Sequence, residues 1–341
     1  MKKKILYGLS VVILITLIVM SMINNQPTKQ VSKTYFYLGT VIDITVYDTD
    51  DDLILKDISD LILKYENMLS RNILSSDISK LNQATGPITV SEETYLLIKE
   101  AITYSEVTEG YFDITINPIV ELWAIGTEEA NVPLDEDIEQ ALKAVDYKNI
   151  VLLENNQVEL LNGASVDLGG IAKGFIADEI AILLEKNHVE KALINLGGNV
   201  FAIGSSIEND PWNIGIRHPI DNQSNVLLKV VLDNKSVVTS GIYERFLEFD
   251  GAIYHHIFDP YTGYPMDNEL LSLTVVSDES IDGDALSTGL FNLGLEKAFQ
   301  KASELSVDLI VVTKDNKIYV TPYLSDKITV FDENYLLITK E

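Results

Sequence analysis

The chain has no cysteine in its 341 residues. That excludes disulfides, thiolate metal sites and a lipid-modified N-terminal cysteine. Basic residues are also scarce, with 25 Lys and Arg against 52 Asp and Glu and a formal charge of −27. Lys2, Lys3, Lys4, Lys29 and Lys33 all precede the first acidic residue, Asp43, so the chain beyond residue 33 carries a net −32 (20 basic against 52 acidic). Such a surface repels nucleic acid phosphates and anionic lipid headgroups, which excludes a duplex binder and leaves membrane contact to the N-terminus. Two phosphate-binding fingerprints are missing. Lys173 is followed by Gly174 rather than Ser or Thr, so there is no Walker A loop. The G-x-G-x-x-G spacing of a dinucleotide site is absent as well.

What is present begins at the N-terminus. Met1-Lys2-Lys3-Lys4 leads into 19 uncharged residues, Ile5 to Ile23. This is just long enough to span a bilayer as a helix. The lysines in front predict a cytoplasmic N-terminus and an extracytoplasmic remainder. The exit, Met20-Ser21-Met22-Ile23-Asn24-Asn25, lacks a clean Ala-x-Ala, which favours a retained anchor in the cell membrane over a cleaved signal and a secreted product. Residues 24–34 read as a polar linker, and 35–341 as the folded part, 46% of the whole chain being hydrophobic.

Within the folded part, Tyr35 to Tyr47 reads as a strand interrupted by Gly39. Helices are expected over roughly 52–68, from Ser91 to about Val107, over 135–145, from about Lys173 to Asn187 and from about Asp284 to Leu305. Ser76 to Asn82 reads as a short helical turn, and Asn117-Pro118 opens an element reaching Trp123. Asn155-Asn156 signals a hairpin, and Val166 to Leu168 is expected to end in a glycine-rich turn. Short β segments fill 211–275, with further strands near 309–313, 318–321 and 335–339. The expected class is α+β, with mixed or antiparallel sheets and helices packed on them, behind one N-terminal anchor or signal helix.

Two segments carry chemistry. Val166-Asp167-Leu168-Gly169-Gly170-Ile171-Ala172-Lys173-Gly174 sets three glycines and a lysine behind one aspartate. Glycines let backbone approach a ligand, and the lysine offers a mobile positive charge to a phosphate. Asp284 and Thr288 lie four residues apart, so on a helix they share a face. Mg2+ takes carboxylate and hydroxyl oxygens together with those of a bound phosphate. The two segments together suit a Mg2+-bound diphosphate compound. Taken alone, Asp284 after Gly283 reads more readily as a helix N-cap and Thr288 as a buried hydroxyl. His256, beside a Pro-Gly turn, suits a general base or a phosphate contact, or a histidine satisfied at a strand end. Asn195-Leu196-Gly197-Gly198 echoes Asp167-Leu168-Gly169-Gly170 and is read as a second turn at the same site.

In order, these segments resemble the ApbE family of flavin transferases, which move FMN from FAD onto a protein. Leu38-Gly39-Thr40 is similar to the family's Met-Gly-Thr, and Ser76-Asp77-Ile78-Ser79-Lys80-Leu81-Asn82 to its Ser-x-Ile-Ser-x-Leu-Asn. Phe112-Asp113-Ile114-Thr115-Ile116-Asn117-Pro118 with Leu122-Trp123 follows, then the Asp167–Gly174 segment and Asn195-Leu196-Gly197-Gly198-Asn199. Thr239-Ser240-Gly241-Ile242-Tyr243-Glu244-Arg245, His256 to Pro265 and Asp284 to Thr288 complete the order.

The resemblance covers roughly residues 34–325 and implies roles. Asp284, Thr288 and the Gly170 carbonyl hold Mg2+ on the FAD diphosphate, with Ser287 beside them. Lys173 neutralises phosphate charge. Leu38, Asn72, Tyr111, Phe112, Asp113 and Asp167 line the FAD site, and His256 or Asp284 serves as base. The implied partner is an exported or membrane flavoprotein, similar to Rnf and Nqr subunits, with a Thr or Ser in an Asp-x-x-[Ser/Thr]-Gly-Ala-[Thr/Ser]-like sequence; AMP is released. Two departures stand out: Leu38 replaces a methionine, and Asn72 replaces an aromatic residue in many relatives. The second leaves FAD hydrolysis to FMN and AMP as an alternative, and a non-catalytic exported flavin-binding module is a third reading.

Overall fold

A computed structural model describes residues 29–206, 210–220 and 225–340. The hydrophobic stretch 5–23 lies outside them, as does 24–28. Among the described residues no helix is long and apolar enough to cross a membrane.

The chain opens with the hairpin β1 (Gln30–Tyr37) and β2 (Thr40–Tyr47), followed by α1 (Leu53–Leu69), α2 (Asp77–Gln83), β3 (Ile88–Thr89) and α3 (Glu92–Val107). Next come α4 (Asn117–Trp123), α5 (Asp135–Leu142), β4 (Ile150–Leu153), β5 (Gln157–Leu160) and α6 (Ala172–Lys186). Strands β6 (Ala192–Leu196), β7 (Asn199–Ile203), β8 (Trp212–Arg217), β9 (Val226–Leu232), β10 (Lys235–Gly241), β11 (Phe246–Phe249), β12 (Ala252–His255) and β13 (Leu270–Ser277) follow. The chain finishes with α7 (Ser280–Leu293), α8 (Leu295–Leu305), β14 (Asp308–Thr313), β15 (Lys317–Val320), β16 (Ile328–Val330) and β17 (Leu336–Thr339).

Nine strands form one sheet in the order β1-β2-β6-β7-β10-β13-β14-β15-β17. Its pairs are antiparallel except β15 with β17. This is the expected α+β class with a mixed sheet. Side chains alternate across it. Val275 and Val311 enter the core shared with the helices, while their neighbours Val276 and Val312 enter a second core against the three-stranded sheet β16-β9-β8. Every residue of β13 is buried, as a strand covered on both faces requires. A third cluster joins Trp123 of α4, Ile138 of α5 and Phe258, and the Trp123 indole N–H donates to the Gly263 carbonyl at 2.9 Å.

Several expectations are corrected. β1 starts at Gln30, inside the supposed linker 24–34, because Val31 is buried and pairs with Val46. The interruption expected at Gly39 is a full reversal between two strands, since Leu38 (φ 54°) and Gly39 (φ 68°) both take the left-handed conformation of a two-residue hairpin turn. The helix placed at 284–305 starts at Ser280 and breaks at Gly294, which has φ 78°. Asp284 is therefore inside α7, not its N-cap. Val166 to Leu168 is extended but joins no sheet. The Asn82 side chain replaces the partner strand, accepting from the Val166 N–H at 2.7 Å and donating to its carbonyl at 2.9 Å.

α7 is the buried centre of the helical layer, contacting β10, β13 and α6. Its own N-cap, Glu279, makes no side-chain cap bond. Asp178 of α6 takes over, accepting the N–H groups of Ser280 at 2.7 Å and Ile281 at 2.8 Å. Burial pushes the Asp178 carboxyl up to about 7 in spite of those two bonds. Between an unfolded value of about 4 and this folded one, the native state holds the extra proton, so this group's contribution to stability falls as pH rises. Asp178→Asn is expected to flatten that slope, read by urea unfolding at a series of pH values; an unchanged slope refutes the assignment.

Candidate active site

The site is built where α6 crosses α7 with no side chain between them. A methyl group at Gly174 would meet the Ser280 carbonyl oxygen, Ile281 Cα at 2.7 Å and Asp284 Cβ at 2.8 Å. Glycine is needed here for proximity. The closeness lets the Gly174 N–H donate to Asp284 Oδ2 at 2.9 Å. One residue earlier, Lys173 Nζ pairs with Asp284 Oδ1 at 3.1 Å and donates to the Gly169 carbonyl at 3.1 Å. The Asp284 side chain is only 6% exposed, so this charge is removed from water but not from partners.

The turn before α6 is held from outside. The Asp167 N–H donates to the Ile114 carbonyl at 2.8 Å, and Asp167 Oδ1 accepts the Gly169 N–H at 2.8 Å. Arg71 Nε sits 3.0 Å from Asp167 Oδ2 and its NH1 lies 3.3 Å from Glu121 Oε1. Gly170 faces Phe112 and α7: a methyl there would stand 3.2 Å from the Phe112 ring and 3.9 Å from Thr288 Oγ1. Ser240, at the end of β10, bonds Ser287 Oγ at 2.9 Å and Thr288 Oγ1 at 3.3 Å, and Ser287 donates to the Asp284 carbonyl at 3.0 Å.

Asp284, Ser287, Thr288, Ser240 and the Gly170 turn therefore offer one carboxylate with hydroxyl and carbonyl oxygens. Among the described residues no group of three or more His, Cys, Asp or Glu is gathered for a metal. A lone carboxylate with hydroxyls suits Mg2+, which commonly takes one or two carboxylates and completes its shell with water and substrate phosphate. The donor set fits that ion and no soft metal.

The other expected residues divide. Phe112 is buried against Gly170, and Tyr111 meets Tyr261 edge to face with ring centroids 5.1 Å apart. Asn72 is exposed beside Arg71, which ties it to the Asp167 turn. Leu38 is fixed through α1, its N–H donating to Glu66 Oε1 at 2.8 Å. The Asp113 carboxylate, read as lining the nucleotide, is turned inward. It accepts the Thr115 N–H and hydroxyl at 2.7 and 2.6 Å and the Tyr147 N–H at 2.8 Å, and burial pushes it up to about 6. Asp113 braces the loop that carries Phe112.

His256 Nδ1 lies 3.2 Å from the Arg245 carbonyl. A carbonyl only accepts, so Nδ1 carries the proton and Nε2 has a free lone pair. The protein packed around the half-buried His256 ring, then the Arg245 charge, depresses it to about 4, with Lys173 contributing. The neighbouring His255 is structural, its Nε2 on the Met266 carbonyl at 2.9 Å. Glu244 stands in a concavity, open to water but walled by protein, and that surrounding mass pushes it up to about 7 against the pull of Lys173, Arg245 and Arg217.

Sequence reasoning assigned no role to Arg71, Asn82, Ser240 or Glu244. One signal was available: the chain has only three arginines, Arg71, Arg217 and Arg245. The first pairs with Asp167, and the other two act on Glu244.

With this geometry in view, the family model described as "ApbE family" matches residues 38–311. The chain is 38% identical over 306 residues to the FAD:protein FMN transferase of Klebsiella pneumoniae, covering 88% of this chain and 95% of that protein. A Treponema pallidum protein of the same name is 33% identical, covering 91% of each chain. Among solved structures, the ApbE protein of Thermotoga maritima superposes with a TM-score of 0.82 at 33% identity, covering 88% of this chain and 99% of that one. The flavin transferase ApbE of Vibrio cholerae gives 0.79 at 28% identity, covering 88% and 100%.

At about pH 6 an unshifted imidazole is largely protonated, whereas His256 is expected to stay neutral. Ring-nitrogen NMR shifts check this, and a protonated ring at that pH contradicts the burial described.

Proposed function

The chain belongs to the ApbE family, and from that premise we propose that it is a Mg2+-dependent FAD:protein FMN transferase acting outside the cytoplasmic membrane. The observation that carries this reading is the α6–α7 crossing, which brings the Asp167–Gly174 turn, Lys173, Asp284 and Thr288 to one place.

Charge at the site argues for the ion. Lys173 is already engaged by Asp284, and Arg71 by Asp167 and Glu121. A diphosphate entering there needs more positive charge than Arg245, beside His256 at the rim, supplies alone. Asp284, Thr288 and the Gly170 carbonyl would hold Mg2+, with Ser287 beside them. When bound, the ion neutralises charge on the pyrophosphate and on the departing AMP.

The residues themselves position and exchange a proton. Lys173 lies close enough to shift from Asp284 toward phosphate oxygens. Phe112 and Tyr111 give the flavin nucleotide an apolar wall. Asp167, held by Arg71, fixes the turn against which the phosphates lie. The hydroxyl oxygen of an acceptor Ser or Thr bonds to the FMN-side phosphorus as the bond from that phosphorus to AMP breaks. The hydroxyl proton passes to the free Nε2 of His256, then to solvent, and AMP leaves with the bridging oxygen. Such transfer is mainly positioning and charge stabilisation. The acceptor we propose is an exported electron-transfer flavoprotein of the Rnf or Nqr type.

A second reading uses water as nucleophile and yields free FMN and AMP. The exposed Asn72, which offers no ring to cover the nucleotide, favours it. Incubation with FAD, Mg2+ and an acceptor separates the two. A covalent mass gain on the acceptor supports transfer, and FMN and AMP without that gain support hydrolysis. Asp284→Ala is expected to lower turnover at least about 10²–10³-fold, in line with removal of one preorganised electrostatic group. Chelation should stop the wild type and Mg2+ restore it. Normal turnover by the variant overturns the assignment.

A further inference from the structure

A groove of about 480 Å³ opens on the opposite face of the large sheet from α6 and α7. Its floor is a single cross-strand row: Asp43 of β2 pairs with Asn195 of β6, Asn195 with Val200 of β7, and Val200 with Val237 of β10. One wall is β8, which pairs with β9 alone among the described residues. Ile214, Gly215, Ile216 and Arg217 all line the groove although burial alternates along β8. β8 is the end strand of its sheet, and its run of four consecutive lining residues sets that outer edge along the groove. That edge carries backbone N–H and C=O groups without a strand partner, a template for an added strand.

The far end of the groove is formed by Gly198, Glu244 and Arg245. Arg245 lines the groove and its carbonyl accepts from His256 Nδ1 at 3.2 Å, so this end adjoins the histidine of the phosphate site, and Lys173 and Asp284 act electrostatically on Glu244 there. β10 makes the same link by alternation: Thr239 lines the groove, and the next residue, Ser240, bonds Ser287 and Thr288 on the helix side.

The lining charge is unusual for this protein. Arg217 and Arg245 both line the groove, and among the described residues neither has a carboxylate in ion-pair contact. Arg217 instead lies over the Tyr243 ring, 5.7 Å from its centroid. The groove has two carboxylates. Asp43, in the floor, accepts the Thr34 hydroxyl at 2.6 Å, and Glu244 is pushed up toward its neutral form. On a chain with 52 acidic residues, two unspent arginines beside a free strand edge mark a place for an extended, acidic polypeptide.

We propose that this groove docks the acceptor protein. An extended acidic segment adds to the β8 edge, Arg217 and Arg245 hold its carboxylates, and its hydroxyl residue is delivered past Glu244 to the phosphate site. This rests on the transferase reading and names where its second substrate binds.

The test is Arg217→Glu in the full chain, assayed for transfer to the acceptor at varied acceptor concentration, with FAD affinity measured in parallel. The expected result is an acceptor KM raised about tenfold or more with FAD affinity unchanged, which also shows that the variant is folded. An acceptor whose acidic residues beside the modified hydroxyl are changed to lysine should recover part of the loss with this variant and lose activity with the wild type. Wild-type transfer with an unaltered KM in the variant overturns the groove assignment alone. A parallel loss of FAD affinity also overturns it, because the arginine then serves the nucleotide. A wild-type chain that releases FMN and AMP but never labels the acceptor overturns the transferase reading, and this proposal with it.

Discussion

The site depends on two helices lying closer together than side chains ordinarily permit. At Gly174 the backbone of α6 rests on the first turns of α7, and the missing methyl is what allows it. From that contact follow the bond from the Gly174 N–H to Asp284, the reach of Lys173 and the capping of α7 by Asp178. β13, buried throughout, supports α7 from beneath. The carboxylate is thus positioned by packing, and its partners are consequences of where the helices cross.

Much of this was legible in residue spacing. Asp284 and Thr288, four apart, do face the same way, and the glycine turn does approach them. Asn155-Asn156 does form a hairpin, both residues with positive φ. Other features depend on contacts that local pattern does not encode. Gly39 marks a break, but nothing in the sequence marks Leu38 as left-handed, so the break did not read as a hairpin turn. Asn82 reads as an ordinary helix residue, yet it replaces a whole strand partner for Val166, 84 residues away. Asp284 looked like a cap because it follows a glycine, but the helix starts earlier, where an aspartate from another helix serves it. Ser240 is one serine among many until the fold sets it against α7.

The charges show the cost of this packing. Asp113 and Asp178 are pushed up by burial, Glu244 is pushed up by the protein that walls its concavity, and His256 is pushed down. A region that disfavours charge of either sign does not by itself attract a polyanion, and Lys173 and Arg71 are already paired. It is instead a place where a few well-placed charges act strongly, because little water screens them.

Thr239 and Ser240 are consecutive, and they look onto opposite sides of the same wall. Two substrates arriving at that wall are separated by the thickness of one polypeptide strand. With the acceptor docked as proposed, its hydroxyl rounds the end of that wall at Glu244 and Arg245, neither substrate blocks the other's entrance, and both are held at once. The kinetics of such an arrangement are those of a ternary complex, with no ping-pong step and no flavin resting on the enzyme between partners.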